Sequence, residues 1–147
     1  MNNDHEARFY ENSGAVQAHL SIAQSVIQRM ATNSASCKGW SIGITSAILV
    51  LVADKSKPDY ALIALIPILM FLALDTYYLA LERRFRNSYN SFIDKLHRGE
   101  IETSDLYAII PIGSAISSFW ASLLSFSVWP FYATLLVMVL LAWNYVI

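Results

Sequence analysis

Asp75 is the first residue in this sequence whose type and position could do chemistry, because it is the only charged side chain in residues 60–81. If that run crosses a bilayer, an ionisable group within it is costly and marks a functional site by default. One hypothesis makes Asp75 a proton or ion relay, or a polar contact between protomers. The structural alternative has Asp75 near the cytoplasmic interface, hydrogen-bonded to a hydroxyl of the preceding span or paired with Lys38. No second buried acid or histidine supports a relay, which favours the structural alternative.

A second candidate site is the charged cluster that follows this run, formed by Glu82, Arg83, Arg84 and Arg86. Basic residues beside a membrane helix attract anionic lipid headgroups, and the same cluster could bind a charged ligand or contact a neighbouring protomer. The alternative is an ordinary collar of positive charge in which Glu82 and Arg86 pair across one helical turn. The collar explains the pattern without a ligand, so the sequence favours it.

The remaining residues indicate neither a catalytic centre nor a metal or cofactor site. The histidines His5, His19 and His97 lie in different segments without metal-ligand spacing. A single cysteine, Cys37, excludes an intrachain disulfide and a cysteine-rich metal site. The chain has no glycine-rich phosphate loop, nucleophile elbow or HExxH motif. Its net charge of -1 gives no argument for nucleic acid. The sequence therefore predicts that the protein is not an enzyme and holds no cofactor or metal.

The composition indicates a membrane protein. Apolar residues make up 56% of the chain and charged residues 14%, whereas soluble domains have ~45–50% and ~25%. Ten of the twenty-one charged residues fall in residues 82–105, and none follows Asp105. This distribution predicts apolar helices in a bilayer with one charged segment beside it.

Two helical segments with different surfaces are predicted in the first third of the chain. After a polar N-terminal segment, residues 1–14, an amphipathic cytoplasmic helix occupies residues 15–38, with Ser13 as a possible cap. Its apolar stripe has spacings of three and four and consists of Val16, Leu20, Ala23, Ile27 and Met30. The uncharged residues 39–53 then form the first span, which is short for a bilayer of about 30 Å.

The second span is predicted at residues 60–81, after a short turn that contains Pro58. Its helical pattern continues through the charged residues 82–98 as a cytoplasmic extension, which Gly99 ends. The apolar stripe of the extension consists of Leu81, Phe85, Tyr89, Phe92 and Leu96. Packing this stripe against the stripe of residues 15–38, or against neighbouring copies, would bury both. The two segments together form a helical stalk above a transmembrane hairpin.

The C-terminal 42 residues are predicted to form an interfacial helix and one further span. Serines alternate with aromatic and aliphatic residues in 112–127, a pattern that suits the interface. Residues 128–147 are almost purely apolar with aromatic residues at both ends, which marks a third span. The predicted fold class is an all-α integral membrane protein with three transmembrane helices, an interfacial helix and a cytoplasmic stalk. Four spans remain the alternative.

Lysine and arginine set the predicted orientation, because they are retained on the cytoplasmic side. Eight of them flank the stalk side and two, Lys55 and Lys57, lie in the turn between the first two spans. The sequence therefore predicts a multi-pass protein with a cytoplasmic N-terminus. With three spans, the C-terminus lies on the other side.

Three short segments resemble the RipA family of small octameric bacterial inner-membrane proteins. The segments are RMATNSASCKGW at residues 29–40, LDTYYLALERRFRNSYN at residues 74–90 and SVWPFY at residues 127–132. The resemblance implies a ring-like homo-oligomer in the cytoplasmic (inner) membrane of a bacterium. It implies no catalytic or binding residues.

These observations leave three hypotheses for the function. The first is a non-enzymatic homo-oligomeric scaffold in which the stalk helices contact neighbouring protomers, because exposed apolar stripes need partners. The second is a pore-forming or gated effector, for example in phage defence, for which the serine-rich residues 114–127 are the candidate lining. The third is a small transporter subunit with Asp75 as the coupling site. The predicted partners are the lipid bilayer and other copies of the chain.

Overall fold

A computed structural model describes residues 11–55 and 58–145, and this part of the chain is helical with no strand. Helix α1 spans Gly14–Lys55, and a 3-10 segment, Pro58–Ala64, leads into helix α2, Leu65–Arg98. Three shorter helices follow: α3, Thr103–Leu106, α4, Ala115–Leu123, and α5, Trp129–Tyr145. The all-helical fold predicted from the sequence is confirmed.

Helix α1 joins the predicted amphipathic helix and the predicted first span without a break. Ser13 caps it, since its Oγ accepts a hydrogen bond from the Val16 amide at 3.4 Å. No proline interrupts the 42 residues that follow, and the helix is therefore about 63 Å long at ~1.5 Å per residue. Of the predicted polar N-terminal segment, residues 1–10 lie outside the described residues.

The stalk is held together by the apolar stripes of α1 and α2. Val16 on α1 is fully buried against Phe92 and Leu96 on α2, with Leu20, Ile101 and Leu106 partly buried around them. The two predicted stripes therefore pack against each other within one protomer. Val16, Ala23, Phe92 and Leu96 are buried by this packing, and the other members of the two stripes are partly buried.

A second core lies at the other end of the hairpin, where α5 packs on it. Its fully or nearly buried members are Val52, Ala61, Ala64, Ile68, Val128, Tyr132, Leu135 and Val139. The Tyr132 hydroxyl donates to the Phe71 carbonyl at 3.1 Å, and the Trp143 indole donates to Asp59 Oδ1 at 3.4 Å. These two contacts fix α5 antiparallel to α2, with its end beside the loop that joins α1 to α2.

Gly99 ends α2 as predicted. It adopts φ 71°, and its amide donates to the Leu96 carbonyl at 3.0 Å. A left-handed residue at this position turns the chain sharply, and glycine adopts it without strain. The short helix α3 and the extended residues 107–114 then return along α2 towards its middle, an arrangement that the sequence did not predict.

The interfacial helix is shorter than the predicted residues 112–127. Helix α4 begins after Ser114, whose Oγ accepts from the Ser117 amide at 3.4 Å and caps it. Gly113 has φ 107°, outside helical geometry, and Pro111 lacks an amide hydrogen, so the helix cannot extend backwards. Residues 124–128 form a turn instead of a further helical turn.

Two helices of the described residues are long and apolar enough to cross a membrane, namely α1 and the continuous segment Pro58–Arg98. This property rests on their length and composition. The apolar segment Trp129–Asn144, which makes up nearly all of α5, is shorter. The apolar halves of all three helices lie side by side, at the opposite end of the molecule from the stalk core.

Candidate functional site

The buried charge on α2 is neutralised by a contact from α1. Asp75 is fully buried. One carboxylate oxygen accepts a hydrogen bond from Ser34 Oγ at 2.5 Å, and the other lies 2.6 Å from the Lys38 ammonium. The Lys38 ammonium also donates to Ser34 Oγ at 3.4 Å, so that the three groups form one cluster.

The sequence brings these groups together through helical spacing. Ser34 and Lys38 are four residues apart and lie on the same face of α1. The antiparallel hairpin then places Asp75 opposite both of them. Both contacts that the structural alternative expected, a hydroxyl and Lys38, are present. The carboxylate is engaged within its own protomer, and the arrangement can fix the register of the two helices.

Two more polar side chains continue the face of Ser34 and Lys38 deeper along α1. Ser41 and Thr45 are 0% and 1% exposed, and their hydroxyl oxygens have no hydrogen-bond partner among the described residues. Thr45 lies about 10 Å beyond Lys38 along the helix at ~1.5 Å per residue. This face then reaches Val52, which belongs to the apolar core. The spacing 34, 38, 41 and 45 was the sequence signal for this polar face.

The charged cluster at the start of the α2 extension does not form a single site. Arg86 Nε pairs with Glu82 Oε1 at 2.8 Å, as expected for a helical turn. Arg83 donates to Ser125 Oγ at 3.0 Å, and Arg84 donates to the Pro111 carbonyl at 3.2 Å. The three arginines therefore point to three different parts of the molecule, and Arg84 is the one that contacts residues 100–114.

Residues 100–114, here called the return segment, are also attached to the far end of the stalk. Lys95 Nζ donates to Asp105 Oδ1 at 2.8 Å, and His19 Nδ1 lies 3.1 Å from the Leu106 carbonyl oxygen. The hydrogen bond from Lys95 lowers the pKa of the Asp105 carboxyl, and the backbone amide of Glu102 lowers it further. The same hydrogen bond raises the pKa of Lys95. No local sequence pattern predicted these contacts.

His19 packs against the apolar stripe of α2. The His19 ring stacks on Phe92 with centroids 4.2 Å apart, whereas His97 lies 3.6 Å from Glu11 at the exposed end of the stalk. His5 lies outside the described residues. Within the described residues, no three His, Cys, Asp or Glu side chains are grouped so that they could hold a metal ion.

No family model, no curated protein and no solved structure matches this chain.

Proposed function

We propose that this chain is a non-enzymatic, homo-oligomeric scaffold of the bacterial inner membrane, with three spans at residues 39–53, 60–81 and 128–147. In this arrangement α4 lies in the cytoplasmic interface. The stalk, residues 15–38 and 82–98, stands in the cytoplasm, and the C-terminus lies on the other side.

The distribution of exposed apolar side chains is the observation that carries the membrane assignment. Within the stalk segments of α1 and α2, Ile22 is the one large hydrophobic residue that is exposed. Within residues 39–53 and 60–81 there are thirteen, among them Trp40, Val50 and Ile66 at 65%, 67% and 69% exposure. Exposing so much apolar surface to water is unfavourable by ~25 cal/mol per Å². Lipid around this end of the molecule removes that cost.

Helix α4 supports an interfacial position and therefore three spans. Ile116, Trp120 and Leu124 lie one turn apart on one face and are 74%, 58% and 74% exposed. The hydrogen bond from Arg83 to Ser125 keeps the end of α4 at the level where α2 leaves its apolar run. An apolar face at this level fits the boundary between headgroups and acyl chains.

Self-association is supported by the size of the exposed surface and by the family resemblance. The molecule has 9663 Å² of accessible surface, whereas a compact monomer of this mass has about 7,500 Å². Lipid covers part of the excess, and contact between copies is a second way to cover it. The resemblance at residues 29–40 and 74–90 points to a ring of identical subunits, octameric in that family.

The two alternatives have less support. A pore needs a continuous polar lining, but the serines of residues 114–127 are dispersed. Ser114 caps α4, Ser122 is fully buried, and Ser125 accepts from Arg83. A transporter subunit with Asp75 as its coupling site needs that carboxylate to be available, and it is engaged by Ser34 and Lys38.

Native mass spectrometry of the protein extracted in mild detergent tests the proposal. The expected result is one discrete multiple of the 16.5 kDa protomer. Chemical cross-linking in the intact membrane before extraction guards against dissociation by detergent. A monomer in both measurements would refute the scaffold.

A further inference from the structure

A polar groove runs between α1 and α2 on the outside of the stalk. Its volume is about 910 Å³, which lies within the range of small-molecule sites, roughly 300–1,000 Å³. Apart from Ile27, its lining residues each carry a hydroxyl, amide or guanidinium group, the last from Arg29 and Arg86. A hydrogen bond of 3.2 Å from Gln24 Nε2 to the Tyr89 hydroxyl joins its two walls.

The charged side chains that line the groove are all positive. No carboxylate lines it, and residues 12–53 contain no Asp or Glu at all. Arg86 is held by Glu82 outside the lining, whereas the Arg29 guanidinium has no hydrogen bond or ion pair to the described residues. Solvated helix faces normally intersperse both signs of charge. A free guanidinium among neutral donors and acceptors instead suits an anion.

We propose that this groove binds a phosphate group carried by a polar, hydroxyl-bearing compound, with Arg29 as the principal phosphate ligand. Guanidinium binds phosphate oxygens through two parallel hydrogen bonds, which an ammonium cannot do. The side-chain amides of Gln28 and Asn90 make no hydrogen bonds to the described residues, and both donate and accept. They match the hydroxyls of a glycerol phosphate.

The groove begins close to the membrane boundary, which favours a lipid as the source of the phosphate. Asn33 at its lower end is five residues above Lys38, about 7.5 Å along the helix. The headgroup layer is roughly 5–8 Å thick on each side of the hydrocarbon core. Arg29 lies one turn higher, about 13.5 Å above Lys38 along the helix, and its long side chain would have to extend towards the bilayer to meet a headgroup phosphate. A free glycerol phosphate presents the same chemistry from solution.

Lipid titration by native mass spectrometry tests the site, with phosphatidylglycerol and phosphatidylcholine compared on the wild type and on Arg29→Gln. We expect the wild type to hold phosphatidylglycerol in preference to phosphatidylcholine. Arg29→Gln should bind phosphatidylglycerol about tenfold more weakly or worse, since a charge-assisted bidentate contact is lost. Arg29→Lys should recover only part of the affinity. Arg98→Gln, which removes an exposed arginine at the far end of the same stalk, is the matched control and should bind as the wild type does.

Competition by glycerol 3-phosphate separates the two sources. If it binds to the wild type and not to Arg29→Gln while the lipids show no preference, the phosphate is a soluble one. If phosphatidylglycerol and glycerol 3-phosphate both bind equally to the wild type and to Arg29→Gln, or neither binds to the wild type, the proposal is wrong. The measurement is made per protomer and does not depend on the oligomeric state, so its failure is distinct from failure of the scaffold.

Discussion

At the scale of single residues, Asp75 is a fully buried carboxylate paired with Lys38. A carboxylate without any exposed surface is strongly disfavoured unless its charge is compensated. Lys38 supplies that compensation and Ser34 a further donor, while the Lys38 side chain keeps 21% of its surface exposed. The pair therefore favours one register of the hairpin over others, because a shifted register would separate the two charges.

Replacing Asp75 by Asn should destabilise the protein by about 2–3 kcal/mol, because it leaves the Lys38 ammonium half-buried without its counter-charge. The double variant Lys38→Met/Asp75→Leu should recover most of this loss, since it removes both charges together. The measurement is reversible unfolding in detergent micelles. Asp94→Asn, an exposed acid on the same helix, is the control and should change stability by less than about 0.5 kcal/mol. Equal stability of Asp75→Asn and the wild type would show that the ion pair contributes nothing.

At the scale of elements, the return segment is held to the stalk by few contacts. One of them, the ion pair between Lys95 and Asp105, depends on pH. The pKa of Asp105 is lowered from 3.8, so its contribution is present above that value and is lost as pH falls through the lowered pKa. The pKa of Lys95 is raised from 10.5, so its contribution is present below that value and is lost only as pH rises through the raised pKa. The ion pair between Lys95 and Asp105 is therefore fully formed at neutral pH.

Asp105→Asn should loosen this segment at neutral pH. The Ile112 amide, which donates to the Arg84 carbonyl at 3.2 Å, reports on its attachment. We expect its hydrogen exchange to accelerate roughly two- to fivefold, as loss of a solvent-exposed pair implies. After correction for the intrinsic exchange rate, the Ile112 amide of the wild type should exchange this fast only in acid, below pH 3.8. Glu100→Gln, which removes an exposed partner of Arg98, serves as the control. Unchanged exchange in Asp105→Asn would mean that the other contacts suffice.

The proposed interfacial position of α4 predicts how deep Trp120 lies in the bilayer. In a variant that keeps Trp120 and has phenylalanine at positions 40, 129 and 143, lipids brominated near the headgroup should quench the fluorescence strongly. The reason is that the Trp120 ring lies on the exposed apolar face of a helix at the membrane boundary. A variant that keeps only Trp143 gives the comparison for the opposite surface. Stronger quenching of Trp120 by acrylamide from water than by brominated lipid would contradict an interfacial α4.

At the scale of the whole molecule, the sequence predicted what depends on local pattern and missed what depends on distant contacts. Ser13 begins α1 and Gly99 ends α2, as their residue types indicated. Helical periodicity located both apolar stripes. The sequence did not predict the attachment of α3, because the contact between His19 and Leu106 joins residues 87 positions apart. Helical spacing predicted the pair between Glu82 and Arg86, but spacing alone does not show that Arg83 and Arg84 reach different segments.

The continuity of α1 has a mechanical consequence. A helix without a proline or a break behaves as a rigid rod, and the 25 residues from Gly14 to Lys38 form an arm of about 36 Å. Helices change tilt when bilayer thickness changes. A ten-degree change in the tilt of the membrane half therefore sweeps the tip of this arm sideways by about 6 Å. With the proposed topology, a change in bilayer thickness would therefore displace the tip of the stalk.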